Sequence, residues 1–217
     1  NEFEKDNQNL SQMFESLSVP DFGDNPMATR QAFGLTLDEF AEKVPHISGG
    51  SADLDGSNCT TNFASSYDDF SSSNPKGRNI AFGVREFPMG AIMNGIALYG
   101  NHFPFGGTFL VFSDYVRSAI RLSAIQKLHV MYEFTHDSIF VGEDGPTHQP
   151  VEHTMSLRNI PNLLVFRPAD ALETFYCFKT IMKNQKNPSA ILLTRQKLPK
   201  LNISEDKIEE GVNKGAY

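Results

Sequence analysis

The sequence has few of the features that would assign it to a common class of protein. Only two cysteines, Cys59 and Cys177, occur among its 217 residues, and they form no CxxC pair. They do not support a disulfide framework or a structural zinc site, and they favour a reducing, cytoplasmic location. No apolar run is long enough for a membrane helix. The formal net charge of -7 argues against nucleic acid and against an anionic membrane as partners.

Several familiar site motifs are absent as well. The sequence contains no GxxxxGK[ST] phosphate loop, no GxGxxG fingerprint, no HExxH zinc motif and no GxSxG nucleophile elbow. Any phosphate bound by this chain must therefore be held by another arrangement of donors.

The hydrophobic content predicts a folded α/β domain. A hydrophobic fraction of 40% with 18 phenylalanines can bury one sizeable core. Short β-rich runs alternate with helical ones, which predicts three layers, α/β/α, around a mostly parallel central sheet. The predicted strands are 79–82, 108–112, 130–135, 163–166 and 190–194, and the predicted helices are 27–44, 86–99, 115–128, 151–159 and 169–183. Ligands in such folds bind beyond the carboxyl ends of the strands, so the segments after the strands are the candidates for function.

Composition divides the chain into three parts. Residues 1–26 are polar and acidic and are predicted to be an interdomain linker or tail, and 27–201 form the domain. Residues 202–217 are predicted to begin a linker toward a C-terminal domain absent from the sequence. Gly49-Gly50 is interpreted as a turn and 65–78 as a loop. We therefore expect a fragment of a longer enzyme.

The loop after the predicted strand 130–135 combines rigid backbone with polar side chains. Its histidines and acids are His136, Asp137, Glu143, Asp144 and His148. Glycines and prolines restrict its backbone, so the polar side chains can be aimed. The alternative is a solvated acidic loop with ordinary histidines. The position at the carboxyl end of a strand favours a functional site.

Glu86 is a second candidate, because it begins a predicted helix whose following turns are apolar. A carboxylate there is favourable for the helix dipole. The alternative is an ordinary first-turn glutamate paired with Arg85.

Other candidates carry a weaker signal. The aromatic residues Phe109, Phe112 and Tyr115 are more often core than a ligand platform. Arg30, Ser57 and Arg195 could bind an anion, although each alone is more often a surface residue.

Five segments together resemble transketolase. They are GGSADL (49–54), REFPMG (85–90), TFLVFSDY (108–115), THDSIFVGEDGPTHQPVE (135–152) and LTRQ (193–196). The resemblance covers about 27–201, in order and with fitting spacings, and the histidine loop is its most specific part. The chain resembles the middle, pyrimidine-binding domain of this thiamine diphosphate-dependent family.

The resemblance implies roles toward the cofactor. Glu86 matches the glutamate that hydrogen-bonds the aminopyrimidine ring nitrogen and favours the imino tautomer. That tautomer then takes the proton from the thiazolium carbon, so this carboxyl has to exchange a proton. Phe109, Phe112 and Tyr115 match the pocket that holds the pyrimidine. The cofactor acts as the electron sink while a two-carbon ketol unit moves from a ketose phosphate to an aldose phosphate in the pentose phosphate pathway.

The resemblance also implies roles toward sugar phosphates. Four residues match positions that contact the substrate toward its phosphate end: Arg30, Ser57, His136 and Arg195. Asp144 and His148 match positions that bind the hydroxyls of the donor near the reacting carbons, where the histidine is a catalytic candidate that can also shuttle protons.

One half of the family's site is missing from the sequence. The family binds the cofactor diphosphate and Mg2+, or a similar divalent ion, through a separate domain with a G-D-G motif, so no metal ligand is assigned here. Its active site lies between the subunits of a homodimer. We therefore expect the 217 residues alone to bind thiamine diphosphate poorly and to be inactive. Two alternatives stay open: a dihydroxyacetone synthase-like ketol transferase, and a non-catalytic subunit with a degenerate site.

Overall fold

The fold is built on a single parallel sheet. A computed structural model describes residues 13, 14 and 16–216, and within them five strands pair in the order β1-β2-β3-β5-β4, all parallel. The strands are β1 (Ile47–Ser51), β2 (Phe103–Phe109), β3 (Met131–Thr135), β4 (Leu164–Phe166) and β5 (Ser189–Leu192). The helices are α1 (Thr29–Lys43), α2 (Asp55–Asn58), α3 (Thr61–Tyr67), α4 (Glu86–Tyr99), α5 (Ser113–Gln126), α6 (His153–Arg158), α7 (Ala171–Lys183) and α8 (Glu205–Lys214).

Two apolar layers cover the two faces of the sheet. On one face Phe33 and Phe40 of α1 pack with Phe178 of α7. On the other face Met93 of α4 and Ile120 of α5 belong to a second buried cluster. The predicted three-layer α/β/α fold is therefore confirmed, and the sheet is wholly parallel.

Local sequence explains where the main helices form. The apolar residues Ala32, Phe33, Leu37, Phe40 and Ala41 of α1 recur at steps of three and four and are buried, whereas Leu35, outside this pattern, is exposed. Two side-chain hydrogen bonds cap the start of α7: Asp170 Oδ1 accepts from the Glu173 N–H at 2.8 Å, and Glu173 Oε2 accepts from the Ala169 N–H at 2.6 Å. The helix α4 has the bounds that the sequence predicts, Glu86 to Tyr99.

Three local predictions were wrong. The Gly49-Gly50 turn is part of β1, because these glycines let the strand lie against Phe105 and Ile80 without a Cβ. The predicted strand 108–112 ends at Phe109, and the chain continues as a 3₁₀ turn over Leu110–Phe112. Residues 79–82 form no strand, although Asn79 makes isolated bridges to Gly49 and Asp69.

The two ends of the chain contact the domain. In the predicted linker 1–26, Phe14 is buried and Leu17, Val19 and Phe22 pack against the same core, while residues 1–12 and 15 lie outside the described residues. In the predicted linker 202–217, α8 buries Ile208 and Val212. The boundaries at 26 and 201 stay predictions. No helix of the described part of the chain is long and apolar enough to cross a lipid bilayer.

Candidate active site

Most of the predicted site residues gather where the parallel strands end. The chain leaves β2 toward Phe112, leaves β3 at His136 and leaves β5 toward Arg195. Parallel strands bring their carboxyl ends to one edge of the sheet, so residues far apart in sequence meet there. Contacts join His136 to Phe109, Asp144 to both His136 and Arg195, and His148 to Phe112.

A run of aromatic rings forms one wall of this edge. The rings of Phe109 and Phe112 are stacked with centroids 5.8 Å apart and an interplanar angle of 6°, and Tyr115 follows 6.0 Å from Phe112. His148 meets Phe112 edge-on at 5.3 Å. Phe109 is buried, Phe112 is half-buried and Tyr115 is 66% exposed. The wall therefore leads from the core to the surface and offers aromatic faces to a planar ligand.

His136 lies at the centre of the cluster. Its ring stacks on Phe109 with centroids 3.8 Å apart, and only 3% of the residue is exposed. Burial, followed by the nearby Arg30 guanidinium, lowers the pKa of His136 to about 4, although Asp144 opposes this shift. The ring is therefore neutral at neutral pH, and its 3.9 Å approach to Asp144 is not an ion pair there.

The histidine loop is held against Arg195. Arg195 Nη2 lies 3.4 Å from Glu143 Oε2, and its Nε lies 4.0 Å from Asp144 Oδ2. Gly142 has a φ of +75°, and a Cβ on it would come within 2.9 Å of the Arg195 guanidinium. Glycine thus permits both the turn and the close contact. Asp144 keeps 30% of its side chain exposed, so it remains available to a ligand.

Arg30 and Ser57 meet at the same edge. Arg30, near the start of α1, donates from Nη1 to the Ser57 carbonyl at 2.7 Å, and its Nε is buried without a partner among the described residues. Both Arg30 and Arg195 lower the pKa of His136, which shows that the two guanidinium charges act on one place. Two fixed guanidinium groups beside a neutral imidazole form a site suited to an anion.

Glu86 is nearly buried, and no described residue pairs with its carboxylate. It is the first residue of α4 and is 9% exposed, and within residues 13, 14 and 16–216 its carboxylate makes no hydrogen bond or ion pair. The alternative pairing with Arg85 is absent, because the Arg85 guanidinium donates to the Phe82 carbonyl at 3.2 Å. An acidic group that is largely removed from solvent and has no hydrogen bond or ion pair among the described residues fits a ligand that donates or exchanges a proton there.

Sequence reasoning missed three buried polar residues behind His136. Thr135 Oγ1 donates to Asn58 Oδ1 at 2.9 Å and lies 3.0 Å from His136 Nδ1. Glu133 on β3 is fully buried, and neither of its carboxyl oxygens has a hydrogen-bond partner in the described residues. An acid inside the apolar run Met-Tyr-Glu-Phe was a signal for Glu133. No sequence signal marked Asn58, because its partner Thr135 lies 77 residues away along the chain.

The buried carboxyl of Glu133 should make stability depend on pH. Burial, together with the nearby Asp55, raises the pKa of Glu133 well above its usual value. The folded protein therefore keeps a proton on Glu133 to higher pH than the unfolded chain does. The stability that this protonation contributes is lost as pH rises through the pKa of Glu133 in the folded state. Between the pKa of Glu133 in the unfolded chain and its higher pKa in the folded protein, we expect the free energy of unfolding of Glu133→Gln to rise relative to that of the wild type by about 1.4 kcal/mol per pH unit. Urea unfolding from pH 5 upward measures this difference.

Glu42→Gln is the matched control for this experiment. The Glu42 side chain is 71% exposed, so its substitution should leave the pH profile of unfolding close to that of the wild type. A constant difference between Glu133→Gln and wild type across this pH range would contradict the assignment.

Comparison with known proteins gives a consistent family. The model of the family described as "Transketolase, pyrimidine binding domain" matches residues 25–200. Among curated relatives, a transketolase of Staphylococcus aureus (strain MRSA252) is 49% identical over 197 residues, covering 91% of this chain and 29% of the relative. A transketolase of Bacillus subtilis (strain 168) is 52% identical over 191 residues, covering 88% and 28%. The chain thus spans less than a third of these relatives.

Solved structures share the fold. The crystal structure of a Pichia stipitis transketolase in complex with sedoheptulose 7-phosphate superposes with a TM-score of 0.86 at 41% identity, covering 94% of this chain and 32% of that one. A split-gene transketolase described as an inactive beta4 tetramer superposes with a TM-score of 0.69 at 32% identity, covering 84% of this chain and 56% of that one.

Proposed function

The chain belongs to the transketolase pyrimidine-binding domain family, and from this premise we propose that it supplies the pyrimidine side of a thiamine diphosphate site. The enzyme that contains it transfers a two-carbon ketol unit from a ketose phosphate to an aldose phosphate. The observation that carries the proposal is Glu86, a nearly buried acid with no partner among the described residues. When bound, the cofactor supplies the electron sink for the carbon–carbon bond chemistry.

The residues of this chain would hold the pyrimidine in two ways. The aromatic wall of Phe109, Phe112 and Tyr115 offers stacked faces to the planar ring. Glu86 would hydrogen-bond the aminopyrimidine ring nitrogen and exchange a proton with it. Its place in the first turn of α4 supports this role, since the N–H groups and dipole of the helix stabilise a carboxylate there.

The polar cluster would bind the sugar. Arg30 and Arg195 are the cations for the phosphate end, with His136 and Ser57 beside them. Asp144 and the half-buried His148 would bind hydroxyls near the reacting carbons, and His148 is the group there that can shuttle a proton. The sugar phosphate held by the Pichia stipitis relative supports this substrate class.

The remaining parts of the site would come from outside this chain. Mg2+ or a similar ion and the cofactor diphosphate would be held by another domain, in a homodimer whose active site lies between subunits. Exposed apolar side chains next to the site support such a contact: Val84 is 74% exposed, Phe87 48% and Tyr115 66%. The cysteine usage of the sequence supports a cytoplasmic location.

A ketol transfer assay tests this proposal. We expect a longer enzyme that contains this chain to transfer ketol units from a ketose phosphate to ribose 5-phosphate when thiamine diphosphate and Mg2+ are present. The 217-residue chain alone should show no transfer, because it would supply only one side of the site. Transfer to formaldehyde in preference to ribose 5-phosphate would identify a dihydroxyacetone synthase-like enzyme. No transfer to either acceptor would favour a non-catalytic subunit and contradict the proposal.

A further inference from the structure

A short hydrogen-bond relay reaches His136 from the interior of the protein. Asn58 Oδ1 lies 2.9 Å from Thr135 Oγ1, which in turn lies 3.0 Å from His136 Nδ1. Asn58 and Thr135 are fully buried and His136 is 3% exposed, so solvent does not compete for these bonds. The relay links the end of α2 to the end of β3 and stops at the ring that faces the site.

The relay has a direction. An amide oxygen only accepts hydrogen bonds, so the single hydroxyl proton of Thr135 is donated to Asn58. The Thr135 oxygen is then left as an acceptor for its second neighbour, His136 Nδ1. A neutral imidazole carries one proton, and this arrangement places it on Nδ1. Nε2 therefore keeps its lone pair.

The orientation of the Asn58 amide is consistent with its surroundings. Its Nδ2 and Glu133 Oε2 lie on the same side of Gly107, at 2.5 and 2.4 Å from the position of a Cβ on that glycine. Both oxygens of Glu133 lack hydrogen-bond partners among the described residues. A carboxyl group carries at most one proton on two oxygens, so it is mainly an acceptor and favours the NH2 end of Asn58 as its neighbour.

We propose that Asn58 and Thr135 are positioning residues that fix the ring proton of His136 on Nδ1 and so present the Nε2 lone pair to the substrate. This inference rests on the proposed function for its consequence, but the tautomer itself does not. Nε2 faces Asp144 Oδ2 at 3.9 Å, and the charges of Arg30, Arg195 and His148 act on the same ring.

The fixed tautomer has a consequence for phosphate recognition. A phosphate dianion has acceptor oxygens only, and Nε2 in this tautomer is also an acceptor. A hydrogen bond between them therefore requires that Nε2 take up one proton from solvent or that the phosphate bind as its monoanion. Because the relay keeps Nδ1 protonated, that proton can only lie between Nε2 and the phosphate oxygen.

The tautomer can be read from the ¹⁵N chemical shifts of the imidazole ring. The chain, labelled on its six histidines, would be measured near neutral pH without substrate, and His136 assigned from the signal lost in His136→Gln. We expect a protonated Nδ1 and an unprotonated Nε2. Asn58→Leu should move the proton to Nε2, because Thr135 then donates to Nδ1. In Thr135→Val the ring of His136 should no longer prefer a proton on Nδ1, and Thr135→Ser should restore that preference.

Asn94→Leu is the matched control. Asn94 is also a buried asparagine, but it bonds to Ala119 and Tyr132 on the other face of the sheet. Its loss should leave the shifts of His136 unchanged. A protonated Nε2 in the wild type would overturn the proposal. Unchanged ¹⁵N shifts of His136 in Thr135→Val would overturn it too. If Asn58→Leu does not fold, the comparison of Thr135→Val with Thr135→Ser still tests the proposal.

Kinetics of the longer enzyme give an independent readout. We expect Thr135→Val to lower the KM for a phosphorylated aldose by up to about tenfold, because a ring freed from the relay can carry its proton on Nε2 and donate it to the phosphate without taking up another, while the KM for an unphosphorylated aldehyde stays unchanged. Equal effects on both acceptors would contradict the phosphate role. A wild-type enzyme without ketol transfer would overturn the proposed function and leave the tautomer result standing.

Discussion

Glu86→Gln in the longer enzyme is expected to lower the kcat of ketol transfer by about 10²–10⁴-fold, the usual contribution of a positioned proton-exchanging group. Glutamine preserves the volume and a hydrogen-bonding oxygen, but it cannot give up or take a proton. The effect should be large because Glu86 is 9% exposed and is the one acidic residue in the first turn of α4. The KM for the sugar should change little, since among the described residues no hydrogen bond or ion pair joins Glu86 to the sugar-binding cluster. Steady-state kinetics with saturating cofactor measures both constants.

Glu42→Gln is the control for loss of one carboxylate. Glu42 is on the surface of α1 and should leave kcat within about twofold of the wild type. A Glu86→Gln enzyme with wild-type kcat would contradict the assigned proton role and would favour a degenerate site.

Gly49→Ala is expected to give the largest loss of stability. A Cβ on Gly49 would lie 2.1 Å from the Phe105 carbonyl oxygen and 2.6 Å from its ring, so β1 and β2 would have to separate. These strands pair from Ile47 to Ser51, and Gly49 is the middle residue. We expect the free energy of unfolding to fall by about 3 kcal/mol in urea titrations followed by circular dichroism, a large share of the stability of a small domain.

Gly95→Ala provides the opposite case in the same chain. Gly95 lies within α4, and apart from the adjacent backbone of the helix itself no described atom lies within 4 Å of a Cβ added there. Alanine should therefore stabilise the helix by about 0.5–1 kcal/mol. If Gly49→Ala were as stable as the wild type, the close packing of β1 on β2 would be wrong.

The sequence predicts the elements whose pattern is local. Helix α4 was predicted with both bounds correct, and α7 differs only at its start, because periodic apolar residues and caps mark such helices. Strand β1 was missed because its glycines look like a turn until Phe105 and Ile80 are placed beside them. The 3₁₀ turn over Leu110–Phe112 was likewise taken for strand, since its apolar residues suit either structure.

The candidate site, too, could be predicted only where its residues lie in local sequence patterns. Residues of the histidine loop and Glu86 could be named because they lie in sequence motifs and follow or precede predicted elements. The relay could not be predicted, since Asn58 and Thr135 meet only after β3 lies beside the end of α2. The neutrality of His136 also depends on burial and on Arg30, which no local pattern reveals.

Proton exchange at the reactive thiazolium carbon tests the central role of Glu86 most directly. The rate at which deuterium replaces this proton would be measured by NMR in the longer enzyme, with thiamine diphosphate saturating and no sugar present. We expect Glu86→Gln to bind the cofactor but to exchange this proton at least about 100-fold more slowly than the wild type. Equal exchange rates in the two proteins would show that Glu86 does not activate the cofactor.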